Sequence, residues 1–404
     1  MNRRNLPILP VFSLALALLL GCDEDSKPTH PSSCPDQNVL GKPSETKPAH
    51  AARQVTGKPL DSLAGITLAS KDSVDAFFAG KKVKLAFILD RRLYLAEWGA
   101  SGTVLTDLTA GDEGYAGGTG NLNSPLFSPD GAWLTYGGAL SNPAVSFVRQ
   151  ALSGSSPVWR LPVDASGQNA FDPHWVIEEG KPWIWFATDP GPVTWSDRCG
   201  QMGGSTYRAP LASDSSLGPV EVTGLPGSFK GGLSKDLRWA GTSYGPSALY
   251  DRDAKKTLLL AGLVQQCNPS MNPFPAGSRN SDLMMILGFG GTLKTVAGDV
   301  TENVHENLWI YSRGDLIVWR GRRPPDAKYL QWQKPEWSTH PGFATAVALY
   351  DFNAGAADKG DLFAVRIGDL AGEGLTGLSE AQGYFKLAEG RFTESSFSHL
   401  WVEP

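Results

Sequence analysis

Pro125-Leu126-Phe127-Ser128-Pro129-Asp130-Gly131-Ala132-Trp133-Leu134-Thr135-Tyr136 is the stretch that decides the fold. Ser-Pro-Asp-Gly is turn chemistry: the proline presets φ, the aspartate hydrogen-bonds its own backbone, and the glycine takes the exit conformation. Apolar and aromatic residues flank it on both sides, so the stretch reads as two antiparallel strands joined tightly. It recurs with drift. Pro173-His174-Trp175 precedes a turn at Glu178-Glu179-Gly180 and an aromatic run over 183–188. Gly231-Gly232-Leu233 leads into Ser234-Lys235-Asp236-Leu237-Arg238-Trp239, which sets Ser234, Asp236 and Trp239 on Ser128, Asp130 and Trp133 without a gap. Pro269-Ser270-Met271 and Pro335-Glu336-Trp337 open two more copies, the second followed by Ser338-Thr339-His340-Pro341-Gly342-Phe343. Ser398-His399-Leu400, near the end of the chain, is the last and weakest copy.

Such repetition means that no single unit buries both of its faces alone. The last copy has a first strand and then the chain stops. Its missing second, third and fourth strands are available at the other end, over 84–89, 92–98 and 103–108. Joining the two ends in one blade closes a ring and hides edges that would otherwise invite aggregation. The sequence therefore predicts an all-β protein over 61–404, a six-bladed β-propeller closed by pairing N- and C-terminal strands in one blade. Blades of roughly 40–65 residues suit propellers that carry loop insertions.

Phe127-Ser-Pro-Asp-Gly-x-Trp133-Leu-x-Tyr136 resembles the WD40-like repeat of TolB-type β-propellers. The resemblance extends over about 80–404 and is close in the Phe127 copy; elsewhere Gly131 is replaced, as by Leu237, or the turn is remodelled. Cys267-Asn-Pro-Ser270, His305-Glu306 and Glu336-Trp-Ser-Thr-His340-Pro341 together resemble uncharacterised propeller lipoproteins and, more distantly, propeller-type oligogalacturonate lyases. The lyase resemblance implies a divalent metal ion on some of His305, Glu306 and His340, and cleavage of uronate-containing polysaccharides. The TolB-type resemblance implies an envelope assembly scaffold with no cofactor.

The N-terminus reads as a processing signal. Arg3 and Arg4 precede an apolar run over 12–20 that is too short to span a bilayer. It ends at Leu19-Leu20-Gly21-Cys22, which resembles the bacterial lipoprotein signal and implies removal of 1–21 and lipidation of Cys22. A multiply acylated cysteine anchors stably. Asp23 and Glu24 leave inner-membrane retention and surface export both open. The stretch 22–60 is polar, with prolines at 28, 31, 35, 43 and 48, and reads as a disordered tether. A net charge of −5 argues against nucleic acid as the main partner. Export favours oxidised cysteines, and Cys199–Cys267 is the expected disulfide, with Cys34 left in the tether.

The repeat register also places candidate chemistry. The middle residues of the first strands should line the central channel, in the order Leu126, His174, Gly232, Ser270, Glu336 and His399. Glu336 and His399 fall on adjacent blades, a His–carboxylate pair that could serve acid/base work, with His174 nearly opposite. A hydrated polar lining explains the same residues without chemistry. His340 takes the turn position of Asp130, which gives it a capping role, and Trp133, Trp175, Trp239 and Trp337 fall in the inter-sheet core. Gly241-Thr-Ser243-Tyr-Gly245 matches a nucleophile elbow as text, but the register puts it at a blade strand with no helix after it. The insertions 111–122, 197–207 and 290–303 are Gly-rich or polar and should project, where binding residues gather. Trp195 borders one of them, and Arg320, Arg322 and Arg323 form the basic cluster. Tryptophan faces with arginines suit a chain of acidic sugars. The leading expectation is a membrane-anchored envelope lipoprotein that binds a polysaccharide, cell-wall component or envelope protein without catalysis, with the metal-dependent lyase as the alternative.

Overall fold

The Ser-Pro-Asp-Gly turn closes through its own side chains. Ser128 N–H donates to Trp133 O (2.9 Å), and Trp133 N–H donates back to Ser128 Oγ (2.9 Å). Asp130 Oδ1 accepts from Ala132 N–H at 3.0 Å, and Gly131 sits in the left-handed region at φ 68. The gapless copy repeats each link: Ser234 N–H to Trp239 O (2.9 Å), Trp239 N–H to Ser234 Oγ (3.0 Å) and Arg238 N–H to Asp236 Oδ1 (3.1 Å). In that copy Leu237 takes the glycine's place at φ 59. An L-residue there costs about 1–2 kcal/mol, less for asparagine, whose short polar side chain tolerates it. Leu237 is only half-buried, so Leu237→Asn is expected to gain about 1 kcal/mol, read as a higher urea midpoint at unchanged slope.

In this computed structural model the described residues are 52–404 except 111, 113–122, 138–145, 162–169, 189–204, 213–215, 227–230, 243–247, 255, 260–265, 275–279, 313–315, 352–358, 369 and 371–376. They form six antiparallel blades of a β-propeller, each opened by an inner strand. The inner strands are Asn123–Phe127, Ala170–Glu178, Gly232–Leu233, Gln266–Met271, Gln331–Trp337 and Ser398–Val402, which open blades one to six in that order. Each touches the next, and the last touches the first. Blade six is composite: Ser398–Val402 pairs with Val83–Leu89, followed by Arg92–Gly99 and Gly102–Asp107, in the register Ser398↔Phe87 to Val402↔Val83. The predicted closure is therefore present.

Alternating apolar residues put one large cluster between each pair of neighbouring sheets. Leu85, Phe87, Val347, Leu362 and Leu400 fill the gap between blades five and six, and Ile88, Leu95, Phe127, Leu134 and Tyr136 that between six and one. Trp133, Trp239 and Trp337 are buried in such gaps, and Trp175 packs against one, as the register predicts.

Two expectations are corrected. The folded part begins before residue 61: Arg53–Thr56 and Lys58–Leu60, placed in the tether, are strands. With Ile66–Leu68 they form a belt that adds an outermost strand in turn to blades one, six and five. The stretch 290–303 is not a loop, because the strands Met284–Thr295 and Gly298–Ser312 pair almost to their tips in one long hairpin. Gly290 and Gly291, at φ 91 and 100, bend that ribbon rather than end it. Glu302 secures its base, accepting from Asn307 N–H (2.9 Å) and Trp309 Nε1–H (2.6 Å) where a Cβ on Gly288 would not fit. Cys22, Trp195, Cys199 and Ser243 lie outside the described residues, and of Cys267 only the backbone, in its inner strand, is described.

Candidate functional site at the channel mouth

Four inner strands carry the same irregularity. The ladder slips by one residue between Asn123 and Leu126, between Phe171 and His174, between Cys267 and Ser270, and between Gln333 and Glu336. Each slip falls on an x-Pro pair, where proline has no N–H to lend to a ladder. In three of them the residue before proline is left-handed: Ser124 (φ 43), Asn268 (φ 52) and Lys334 (φ 47). A bulge of this kind re-aims a side chain. Here it gathers Ser124, Asn268, Lys334, Glu336 and Phe397 around one small pocket, floored by Pro269, Pro335 and Ser398. The pocket draws on blades one, four and five and on the approach to the inner strand of blade six. Lys334 Nζ lies 4.9 Å from the centre of the Phe397 ring. The column predicted from the sequence lies one or two residues away from these positions, and the repeated x-Pro is the signal that marks them.

The column residues are placed where the register predicts but are engaged differently. His399 is buried: its Nδ1 accepts Phe127 N–H at 3.0 Å, and its other nitrogen donates to the backbone carbonyl of Trp337. Burial holds its pKa down to about 3, and the nearby His174 lowers it further. A neutral imidazole tied by both nitrogens to backbone is a fastener between blades five, six and one, not an acid/base group. Glu336 is turned to blade four instead, where its Oε1 accepts from Ser270 Oγ (2.6 Å), while Ser270 Oγ accepts Trp337 N–H (2.9 Å). His174 packs against Gly232, where any Cβ would lie 2.9 Å from its Nδ1. Leu126, last of the column, offers its carbonyl to Trp175 Nε1–H at 3.1 Å. Neighbouring blades are thus pinned at the axis by side-chain and backbone hydrogen bonds.

The residues considered for a metal do not come together. His305 is buried, with Nδ1 at 2.9 Å from Gln333 Nε2, and desolvation, with Lys334 adding to it, pushes its pKa down to about 4. Glu306 pairs with Arg323 (3.2 Å) and accepts from Asn303 Nδ2–H. His340 caps its own turn, Nδ1 accepting Gly342 N–H at 3.1 Å, as its register position predicts. Among the described residues no three His, Cys, Asp or Glu side chains converge on a point that could hold an ion. The basic cluster is likewise occupied. Arg320 and Arg322 face Glu380 on the outer strand Ser379–Glu380, and Arg323 also donates to the carbonyls of Tyr329 and Leu330. All three arginines are thus engaged in links within the chain.

Among the described residues no helix is long and apolar enough to cross a membrane. No known family matches the sequence, and no curated protein does. Solved structures do match by shape. The chain is similar to TolB from Acinetobacter baumannii at 11% identity and TM-score 0.44, over 81% of this chain and 69% of that one. It is similar to a putative TolB from Agrobacterium tumefaciens at 13% and 0.40, over 80% and 98%. An oligogalacturonate lyase in complex with manganese is similar at 9% and 0.32, over 78% and 84%. The six sheets establish the propeller, and its blades are arranged in the TolB-like manner.

Proposed function

We propose that this protein is a lipid-anchored lipoprotein of the bacterial envelope whose propeller holds a partner at the channel mouth and performs no covalent chemistry. The observation that carries this reading is the pocket formed by the bulged inner strands: apolar shelves from Pro269, Pro335 and Phe397 beside Ser124, Asn268, Lys334 and Glu336. Such a mixture of stacking surface, hydrogen-bonding groups and charge suits recognition of a polar chain, whether polysaccharide, cell-wall component or polypeptide. The histidines support it, because His305, His340 and His399 spend their nitrogens on holding the fold.

Cys22→Ala is expected to move the protein from the membrane fraction to the soluble one, and membrane retention of that variant would overturn the anchor. In capture from solubilised envelopes and on immobilised envelope polysaccharides, Asn268→Ala with Lys334→Glu should lower retention of the partner about tenfold or more, with the melting temperature nearly unchanged. Equal capture by the wild type and the double variant would sink the mouth as the binding site. Uronate polymers are expected to give no unsaturated product with or without added divalent metal.

A further inference from the structure

The belt strand on blade one is supernumerary. Blades two and three stand as four-stranded sheets, so blade one is complete without its fifth strand, Arg53–Thr56. That strand seats on the outer edge through an alternation. Val55 is buried, and Arg53, on the same side, grips the buried Asp112 with two hydrogen bonds of 2.9 and 2.7 Å while its guanidinium lies 5.2 Å from the Phe147 ring centre. Gln54 and Thr56 face outward and are exposed. The register is Arg53↔Val158 to Thr56↔Ser155. Gly57 then turns the chain onto blade six, and the strands Lys58–Leu60 and Ile66–Leu68 continue around the ring. The anchor-side end of the belt is therefore its least buried and most locally held part, the kind of segment that opens at a small fraction of the global cost.

We propose that the outer edge of blade one, Ser155–Arg160, is an exchangeable strand-addition site. The chain's own residues 53–56 fill it here, and an extended partner segment with a basic residue two positions before an aliphatic one can take their place. Main-chain pairing to the edge supplies the attachment, as in other strand additions. The buried Asp112 and the pocket that takes Val55 select the basic-x-aliphatic pattern. The displaced belt strand continues directly into the N-terminal segment, so occupation of this edge by a partner lengthens the leash between anchor and ring without opening the propeller.

The test uses the full chain carrying Arg53→Glu and a labelled peptide of residues 52–57, Ala-Arg-Gln-Val-Thr-Gly. Hydrogen exchange is expected to show loss of protection confined to 155–158 in the variant, and the peptide should bind it at least tenfold more tightly than the wild type, in which the belt competes. Adding Asp112→Lys to the chain should abolish that binding and transfer it to a peptide with glutamate in place of arginine. Continued protection of 155–158 in the variant, protection lost across the whole ring, or an unprotected edge that fails to bind the peptide would each overturn the proposal.

Discussion

Replacing His399 with alanine is expected to cost about 4 kcal/mol of folding stability, a large effect for one side chain. The change leaves Phe127 N–H and the Trp337 carbonyl without their imidazole partner in a buried seam, at about 1–3 kcal/mol each, and adds a cavity. Urea unfolding at pH 7.5 measures it; a loss under about 1 kcal/mol would mean that the seam does not depend on this ring. The same residue sets the acid response. Its folded pKa of about 3, and the value of about 4 for His305, lie below the ordinary 6.5. Between those values the unfolded chain binds more protons than the folded one, so stability is full above pH 6.5 and drains as pH falls toward the folded values. Glu302 works in the opposite sense: burial raises its pKa from 4.5 to about 7, so its contribution is full below pH 4.5 and is lost as pH rises through 7. The histidine shifts are together the larger, and a net loss of stability between pH 6.5 and 4 is expected. At up to about 1.4 kcal/mol per pH unit for one group, the slope should be visibly shallower in His399→Ala.

Gly131→Ala is expected to cost about 3 kcal/mol, through two separable causes. At φ 68 an alanine is strained by about 1 kcal/mol, and its Cβ would lie 2.6 Å from the Trp401 ring. That ring is fixed by Trp401 Nε1–H donating to Pro129 O at 3.0 Å, and Lys84 Nζ donates to Gly131 O at 3.1 Å. The indole therefore lies over the turn, and only glycine leaves it room. In a Trp401→Ala background the clash disappears, and Gly131→Ala should then cost only its backbone strain of about 1 kcal/mol. Additive losses in the double variant would show that the turn and the C-terminal strand do not touch.

Much of the fold is legible in the sequence. Ser128, Ser234 and Ser338 make the same backbone link at the same spacing, because a Ser-x-Asp turn writes its geometry into residue identity. The inner strands and the composite blade come from that ruler. Side-chain partners do not, because period-two alternation gives a face and not a neighbour: it sets His399 and Glu336 on adjacent strands, yet one bonds backbone and the other Ser270. The belt is hidden for a physical reason. Arg53, Lys58 and Pro59 are what exposed edge strands carry to discourage aggregation, and the same residues make a tether. Gly290 and Gly291 mislead in the same way, since glycine marks a bend in a long ribbon as readily as a loop. The mouth residues Ser124, Asn268 and Lys334 escape the repeat register because each left-handed residue precedes its proline, whereas the recurring pattern begins at the proline itself.

Closure of the ring requires the two chain ends to meet at the turn of 127–131. Hydrogen exchange at the Phe127 amide tests this most directly, because its acceptor is the Nδ1 of a residue 272 positions away. The amide should exchange as slowly as those of Trp133–Gly137 in the wild type and at least a hundredfold faster in His399→Ala. A Phe127 amide that exchanges freely in the wild type, or that keeps its protection when His399 is replaced, would contradict this closure.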